Sequence, residues 1–127
     1  MDSKPEKKAQ EVPKMPFIDS RLTVRLSEQE KEELVRELGK LIITLNKSEK
    51  YLMAEVKDSC DLWLGGCKLD KGAYVSVSLF GSADSESCDR MTGQICEMLK
   101  ERYGIPGNAV YVTYHPVRQW GWNGHNF

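Results

Sequence analysis

The sequence predicts an α+β domain in which two pseudo-symmetric βαβ units form one sheet, with both helices on the same face. Three observations carry this. Extended, alternating segments bracket two stretches of helical apolar period. The order strand, helix, strand occurs twice. The two copies keep a near-constant offset: Ser27 and Ser85 stand 58 residues apart, and Phe17 and Tyr74 stand 57 apart. Residue identities hardly match between the copies, so what repeats is a pattern and not a sequence.

The elements follow in chain order. Residues 1–14 set Lys4, Lys7, Lys8 and Lys14 against Asp2, Glu6 and Glu11, with Pro5, Pro13 and a single large aliphatic residue, Val12. Such a stretch buries too little apolar surface to offset the entropy of ordering it, so 1–14 is expected to be a flexible extension ahead of one domain over 15–127. Phe17 to Leu26 reads as extended. Ser27 with Glu30 is a capping-box pattern, which opens a helix. Leu34, Val35, Leu38, Leu41, Ile42 and Leu45 then lie on one helical face. Asn46 is a plausible stop, and Tyr51 to Val56 reads as a strand.

A turn-rich middle containing Gly65-Gly66 leads to Tyr74–Phe80. There Val75, Val77 and Leu79 alternate with Ser76 and Ser78, which is a clear strand signal. Ser82 to Ser85 lead into a second helix, with Cys88, Met91, Ile95 and Leu99 spaced three, four and four; Gly104 and Pro106 end it. Val110, Val112 and Tyr114 alternate with Tyr111, Thr113 and His115 in a last strand, and Trp120 to Phe127 form the tail. Helices confined to one face leave the other face of the sheet uncovered, and oligomerisation through that face is the economical expectation.

Composition excludes several function classes. A net charge of −1 over 127 residues offers no basic field for nucleic acid or anionic lipid, so neither is expected as a partner. No apolar run approaches the roughly 20 residues of a membrane-spanning helix, and the first residues lack the apolar centre of a secretory signal peptide. Cytoplasmic residence is the expectation, with secretion by a route that needs no signal peptide as the alternative. Cys60 and Cys67 are separated by six residues and Cys88 and Cys96 by seven, neither being a CxxC. On one helix Cys88 and Cys96 would be offset by a rise of about 12 Å, too far for a bridge. Free, mostly buried thiols are expected. His115 and His125 lack companion ligands at metal spacing, so no metal is expected.

Several segments, taken in order, resemble the macrophage migration inhibitory factor branch of the tautomerase superfamily over Pro16 to Phe127. They are Met15-Pro16-Phe17-Ile18, Asn46-Lys47 followed by Tyr51, Gly65-Gly66, Ser78-Leu79-Phe80-Gly81, Val110 to Tyr114, and Gly121-Trp122-Asn123 with the closing Phe127. The resemblance implies a homotrimer with sheets inside, helices outside and an active site at each subunit boundary. It implies a cofactor-independent keto–enol tautomerase of phenylpyruvate or dopachrome-isomerase type, acting on small aromatic 2-oxo acids. In that scheme Pro16 is the general acid/base, Lys47 pairs with the substrate carboxylate, and Phe80 and Trp122 wall the ring. Tyr111 comes from the neighbouring subunit, Thr113 stands where asparagine is common, and Trp120 narrows the mouth.

The chemistry depends on one atom. A prolyl nitrogen inside a chain is an amide without basicity. At a chain terminus it is a secondary amine, whose proton affinity, about 7.7–8.0 for an ordinary terminal amine, a nearby cation or burial lowers toward neutrality. Residues 1–14 therefore matter most among the departures from the family. They set up the alternative reading: a non-enzymatic, cytokine-like signalling or interaction protein whose catalysis the extension blocks. A start at Met15 would give the active form. A cell-surface receptor has no support in the residues. The family's cytokine CxxC is missing, so thiol–disulfide exchange does not carry over. Each site residue also has a plainer reading: Lys47 as a cation at a helix end, Phe80 and Trp122 as core, and Tyr111 as an interface strand residue.

Overall fold

The computed structural model describes residues 15–127; the expected extension over 1–14 lies outside the described residues. The elements are β1 (Pro16–Leu22), α1 (Glu28–Leu41), short 3-10 turns at Ile42–Leu45 and Glu49–Tyr51, and β2 (Met53–Lys57). Then come β3 (Trp63–Leu64), β4 (Cys67–Lys68), β5 (Ala73–Phe80), α2 (Ser85–Tyr103) and a 3-10 turn at Gly107–Ala109. The chain closes with β6 (Val110–Val117), β7 (Gly121–Trp122) and β8 (His125–Asn126). The main sheet runs β2-β1-β5-β6. β1 pairs with β2 in parallel and β5 with β6 in parallel, while β1 and β5 meet antiparallel at the centre. The fold is the α+β arrangement expected from the repeated pattern.

Alternation decides which side of the sheet is core. Ile18, Ser20 and Leu22 of β1 and Ala73, Val75, Val77 and Leu79 of β5 are buried. Against them lie Leu34, Leu38, Ile42 and Leu45 from the first helical stripe and Met91, Ile95, Met98 and Leu99 from the second, in one cluster. Tyr114 reaches the same side, where its hydroxyl meets Thr92 Oγ1 at 2.9 Å and burial pushes its pKa up to about 12.

Both helices start on short polar side chains. Ser27 Oγ accepts from the Glu30 N–H at 3.1 Å and Glu30 Oε1 accepts from the Ser27 N–H at 2.8 Å, completing the capping box. Asp84 caps α2, accepting from the Ser87 N–H and hydroxyl at 2.9 and 2.8 Å. Asn46 (φ 60°) and Gly104 (φ 71°) end the helical runs in the left-handed region that those two residue types tolerate.

Two boundaries differ from the sequence expectation. β1 stops at Leu22 because the next residues bond to loops: Thr23 N–H to the Gly72 carbonyl, Leu26 N–H to the Asp58 carboxylate, and Ser59 N–H to the Val24 carbonyl. Tyr51 belongs to a 3-10 turn and not to β2, because Ser48 Oγ accepts the Lys50 N–H and closes that turn. Two hairpins also escaped the sequence reading. β3–β4 turns on Gly65-Gly66 and β7–β8 on Asn123-Gly124, with both central residues at positive φ in each case. Asn-Gly at that position is a strong short hairpin signal.

The uncovered face carries a polar row. Tyr74 and Thr113 hydroxyls are 2.8 Å apart, Thr113 Oγ1 meets His115 Nε2 at 2.8 Å, and Arg21 pairs with Asp19 at 3.5 Å. Large exposed apolar side chains lie elsewhere: Met53 and Tyr111 on the edge strands β2 and β6, Ile43 just after α1, Trp63 on the β3–β4 hairpin, and Trp122 and Phe127 in the tail. All four cysteines are free, but contrary to expectation none is buried: Cys67 is exposed and the other three are partly covered. Burial pushes the Cys88 and Cys96 thiols up, away from thiolate reactivity. Among the described residues no helix is long and apolar enough to cross a membrane, and no His, Cys, Asp and Glu group could hold a metal.

Candidate active site

The site forms where the C-terminal end of β5 meets the start of β1. Pro16 is buried there, opposite Leu79 in the central ladder. The Phe80 N–H donates to the Met15 carbonyl at 3.1 Å, so the residue ahead of Pro16 is tied into the end of the ladder. From the other side the Lys47 ammonium donates to the Phe80 carbonyl at 3.3 Å. Phe80 thus bonds the carbonyl just ahead of Pro16 through its N–H and Lys47 through its carbonyl. Lys47 can reach it because the left-handed Asn46 turns the chain just before it.

Gly81 (φ 88°) bends the chain out of β5, and its N–H bonds to the Val117 carbonyl at 3.0 Å. The tail then folds back over this end of the sheet. The Phe80 and Phe127 rings lie 5.4 Å apart, Phe127 stacks on Trp122 at 6.4 Å, and Trp122 meets the edge of Tyr51 at 5.8 Å. The result is an aromatic wall beside an ammonium group and the Pro16 nitrogen, a combination suited to a flat anionic ligand.

Of the residues expected at a site, the structure brings together Pro16, Lys47, Phe80 and Trp122. Tyr51 and Phe127 join them. In the sequence both stand only as marks of the family resemblance, although an aromatic next to a Ser-capped turn and one closing an Asn-Gly hairpin are legible as candidates. Tyr111 and Thr113 do not reach Pro16 within this chain. Tyr111 pairs with Tyr74, five residues along β5 from Leu79, which is about 17 Å. Thr113 pairs with Ser76 and spends its hydroxyl on Tyr74 and His115. Tyr111 is instead 62% exposed, beside a small apolar hollow of about 80 Å³ shared with Trp63, Leu64 and Leu69.

The sequence matches the profile of the macrophage migration inhibitory factor (MIF) family over residues 15–127. Among curated proteins none matches it. Solved structures do. MIF2 of Leishmania major superposes with a TM-score of 0.81 at 30% identity, over 89% of this chain and 97% of that one. The MIF homologue of Prochlorococcus marinus gives 0.78 at 27% identity, over 87% and 98%. A third structure, of a protein inactivated by 2-oxo-3-pentynoate, gives 0.74 at 15% identity, over 85% and 92%, and shows likeness of fold alone.

Proposed function

This chain belongs to the macrophage migration inhibitory factor family, and from that premise we propose that it is a cofactor-independent keto–enol tautomerase of small aromatic 2-oxo acids whenever Pro16 is its first residue. Family membership by itself supports a tautomerase-type or MIF-like function. The finer reading rests on one observation: Phe80 bonds both the Met15 carbonyl, whose carbon carries the Pro16 nitrogen, and the Lys47 ammonium, beside a wall of aromatic rings.

The steps follow from those atoms. The terminal amine of Pro16 removes a proton from the carbon next to the substrate carbonyl. That C–H electron pair becomes the new C=C bond, and the carbonyl oxygen takes up the proton that the prolyl ammonium returns. The Lys47 ammonium pairs with the carboxylate and, as a nearby cation, lowers the proton affinity of the Pro16 amine toward neutral pH. When residue 15 is absent the Phe80 N–H loses its partner at 3.1 Å and becomes a second donor to the substrate. Phe80, Phe127, Trp122 and Tyr51 hold the ring. That a protein of this fold is inactivated by 2-oxo-3-pentynoate supports 2-oxo compounds as the class to assay first.

The reading includes a homotrimer in the cytoplasm. The trimer's support is the separation of Tyr111 and Thr113 from Pro16 within one chain, together with the exposed Met53 and Tyr111 on the edge strands β2 and β6. In the trimer Tyr111 and Thr113 of a neighbour face Pro16, and the polar open face lines the interior. MIF proteins are typically oligomeric with active sites at subunit boundaries.

A second reading has its own observation. With Met15 in place Pro16 nitrogen is an amide and Phe80 N–H is occupied, so that form is a MIF-like interaction protein without catalysis. One comparison tests both. Full chain and a protein beginning at Pro16, each with its N-terminus confirmed by mass spectrometry, are assayed on phenylpyruvate and sized by light scattering. The Pro16 form is expected to be faster by about 10²–10⁴, the gain typical of a positioned general base, with both forms trimeric. Equal activity would remove Pro16 as the base, and a monomer mass would remove the shared site.

A further inference from the structure

The site's aromatic wall has a cation at each end, and the tautomerase scheme uses only one. Lys47 sits at the inner end, on the Phe80 carbonyl. Ring contacts then lead outward from Phe80 to Phe127, Trp122 and Tyr51. Over the outermost ring lies the Lys50 ammonium, 5.8 Å from the Tyr51 centroid. We propose that Lys50 is a second anion-recognition group at the rim, so that the preferred ligand is an aromatic 2-oxo acid carrying a further negative group at the far end of its ring.

Local structure fixes the backbone of the lysine in the same turn as Tyr51. Ser48 Oγ accepts the Lys50 N–H at 3.1 Å and sets the 3-10 turn Glu49–Tyr51. The carboxylate next in sequence does not neutralise it. Glu49 packs back on α1, with Oε1 3.5 Å from where a Cβ on Gly39 would sit. Among the described residues Lys50, like Lys71 and Lys100, enters no ion pair, whereas Lys31, Lys40, Lys57 and Lys68 do. Its contact with a ring face holds a cation without cancelling its charge. A ligand whose carboxylate reaches Lys47 and whose ring lies along Trp122 directs its far end at Tyr51 and Lys50. An uncharged end gains nothing there, and an anionic end does.

The inference rests on the proposed site, and its test separates the two. In protein beginning at Pro16, which retains the whole core cluster from Ile18 to Ile105, kcat/KM is compared for 4-carboxyphenylpyruvate and phenylpyruvate. Binding of the non-reacting pair 4-carboxycinnamate and cinnamate is followed by tryptophan fluorescence. The ratio of dianion to monoanion should fall roughly 2–5-fold in Lys50→Gln, the range of an exposed ion pair, and further in Lys50→Glu, with phenylpyruvate kinetics unchanged. The effect should shrink as salt is raised. Ratios that stay the same in both variants overturn the role of Lys50 even if phenylpyruvate turns over. A binding ratio that shifts while phenylpyruvate is not turned over keeps Lys50 and sinks the tautomerase reading.

Discussion

α1 and α2 lie on the same face of the sheet and are tied together by Arg102 on Glu37 at 3.0 Å, yet they finish differently. α2 runs 19 residues without interruption to a glycine cap. α1 gives way after 14 residues to a 3-10 turn, a left-handed asparagine and a second 3-10 turn before β2 begins. Both units supply core of the same kind. The irregular end of the first supplies Lys47 and Tyr51 to the candidate site, while the regular end of the second supplies no residue to it. A pseudo-symmetric scaffold thus puts its chemistry where symmetry is broken, since a turn can aim a side chain that an unbroken helix would hold along its own face.

Stability should show the symmetry and ligand binding should not. The largest effect is expected in the core. Leu38→Ala in α1 and Ile95→Ala in α2 remove side chains that are 1% and 0% exposed, and each should cost about 2–5 kcal/mol in denaturant unfolding. A cost below about 1 kcal/mol for either one would mean that the halves do not share one core.

Lys47→Ala in the Pro16-first protein should spare stability by comparison and weaken phenylpyruvate binding about ten-fold or more, as losing a bond to an ionised group does. A carboxylate ester of similar shape should lose less. Equal losses for acid and ester would return Lys47 to the role of a helix-end cation.

The smallest effect concerns the two helix starts and sharpens the likeness between the units. The Leu26 N–H first, then Lys31, holds the Asp58 carboxyl below its ordinary value, and the Ser87 N–H does the same for Asp84. A carboxylate depressed in the folded state contributes stability above its unfolded pKa, near 3.9, and that contribution is lost as pH falls through the lower folded pKa. Melting temperatures should therefore fall below about pH 4, and less steeply in Asp58→Asn and Asp84→Asn than in the parent. Acid limbs of unchanged slope would deny both carboxylates that role.

Much of this architecture was legible because it is local. Alternation along Tyr74–Phe80, the capping box at Ser27 and the stripes of both helices depend on neighbours a few residues away, and the fold class follows from them. Tyr51 misled for the same reason: it borders an apolar run, and the bond from Lys50 N–H to Ser48 Oγ outweighs that pattern.

By itself the sequence determined the two units, the one-sided core and the residues able to do chemistry, since side-chain period and turn chemistry are written along the chain. Only tertiary structure decided which of those residues meet. Lys47 reaches the Phe80 carbonyl across 33 positions, and the tail returns to lay Phe127 on Phe80. Tyr111 stands a strand's length from Pro16, and the open face proves polar. Contacts of that range are set by the pairing register of β1, β5 and β6 and by hairpin closure, which fix distances that no local pattern encodes.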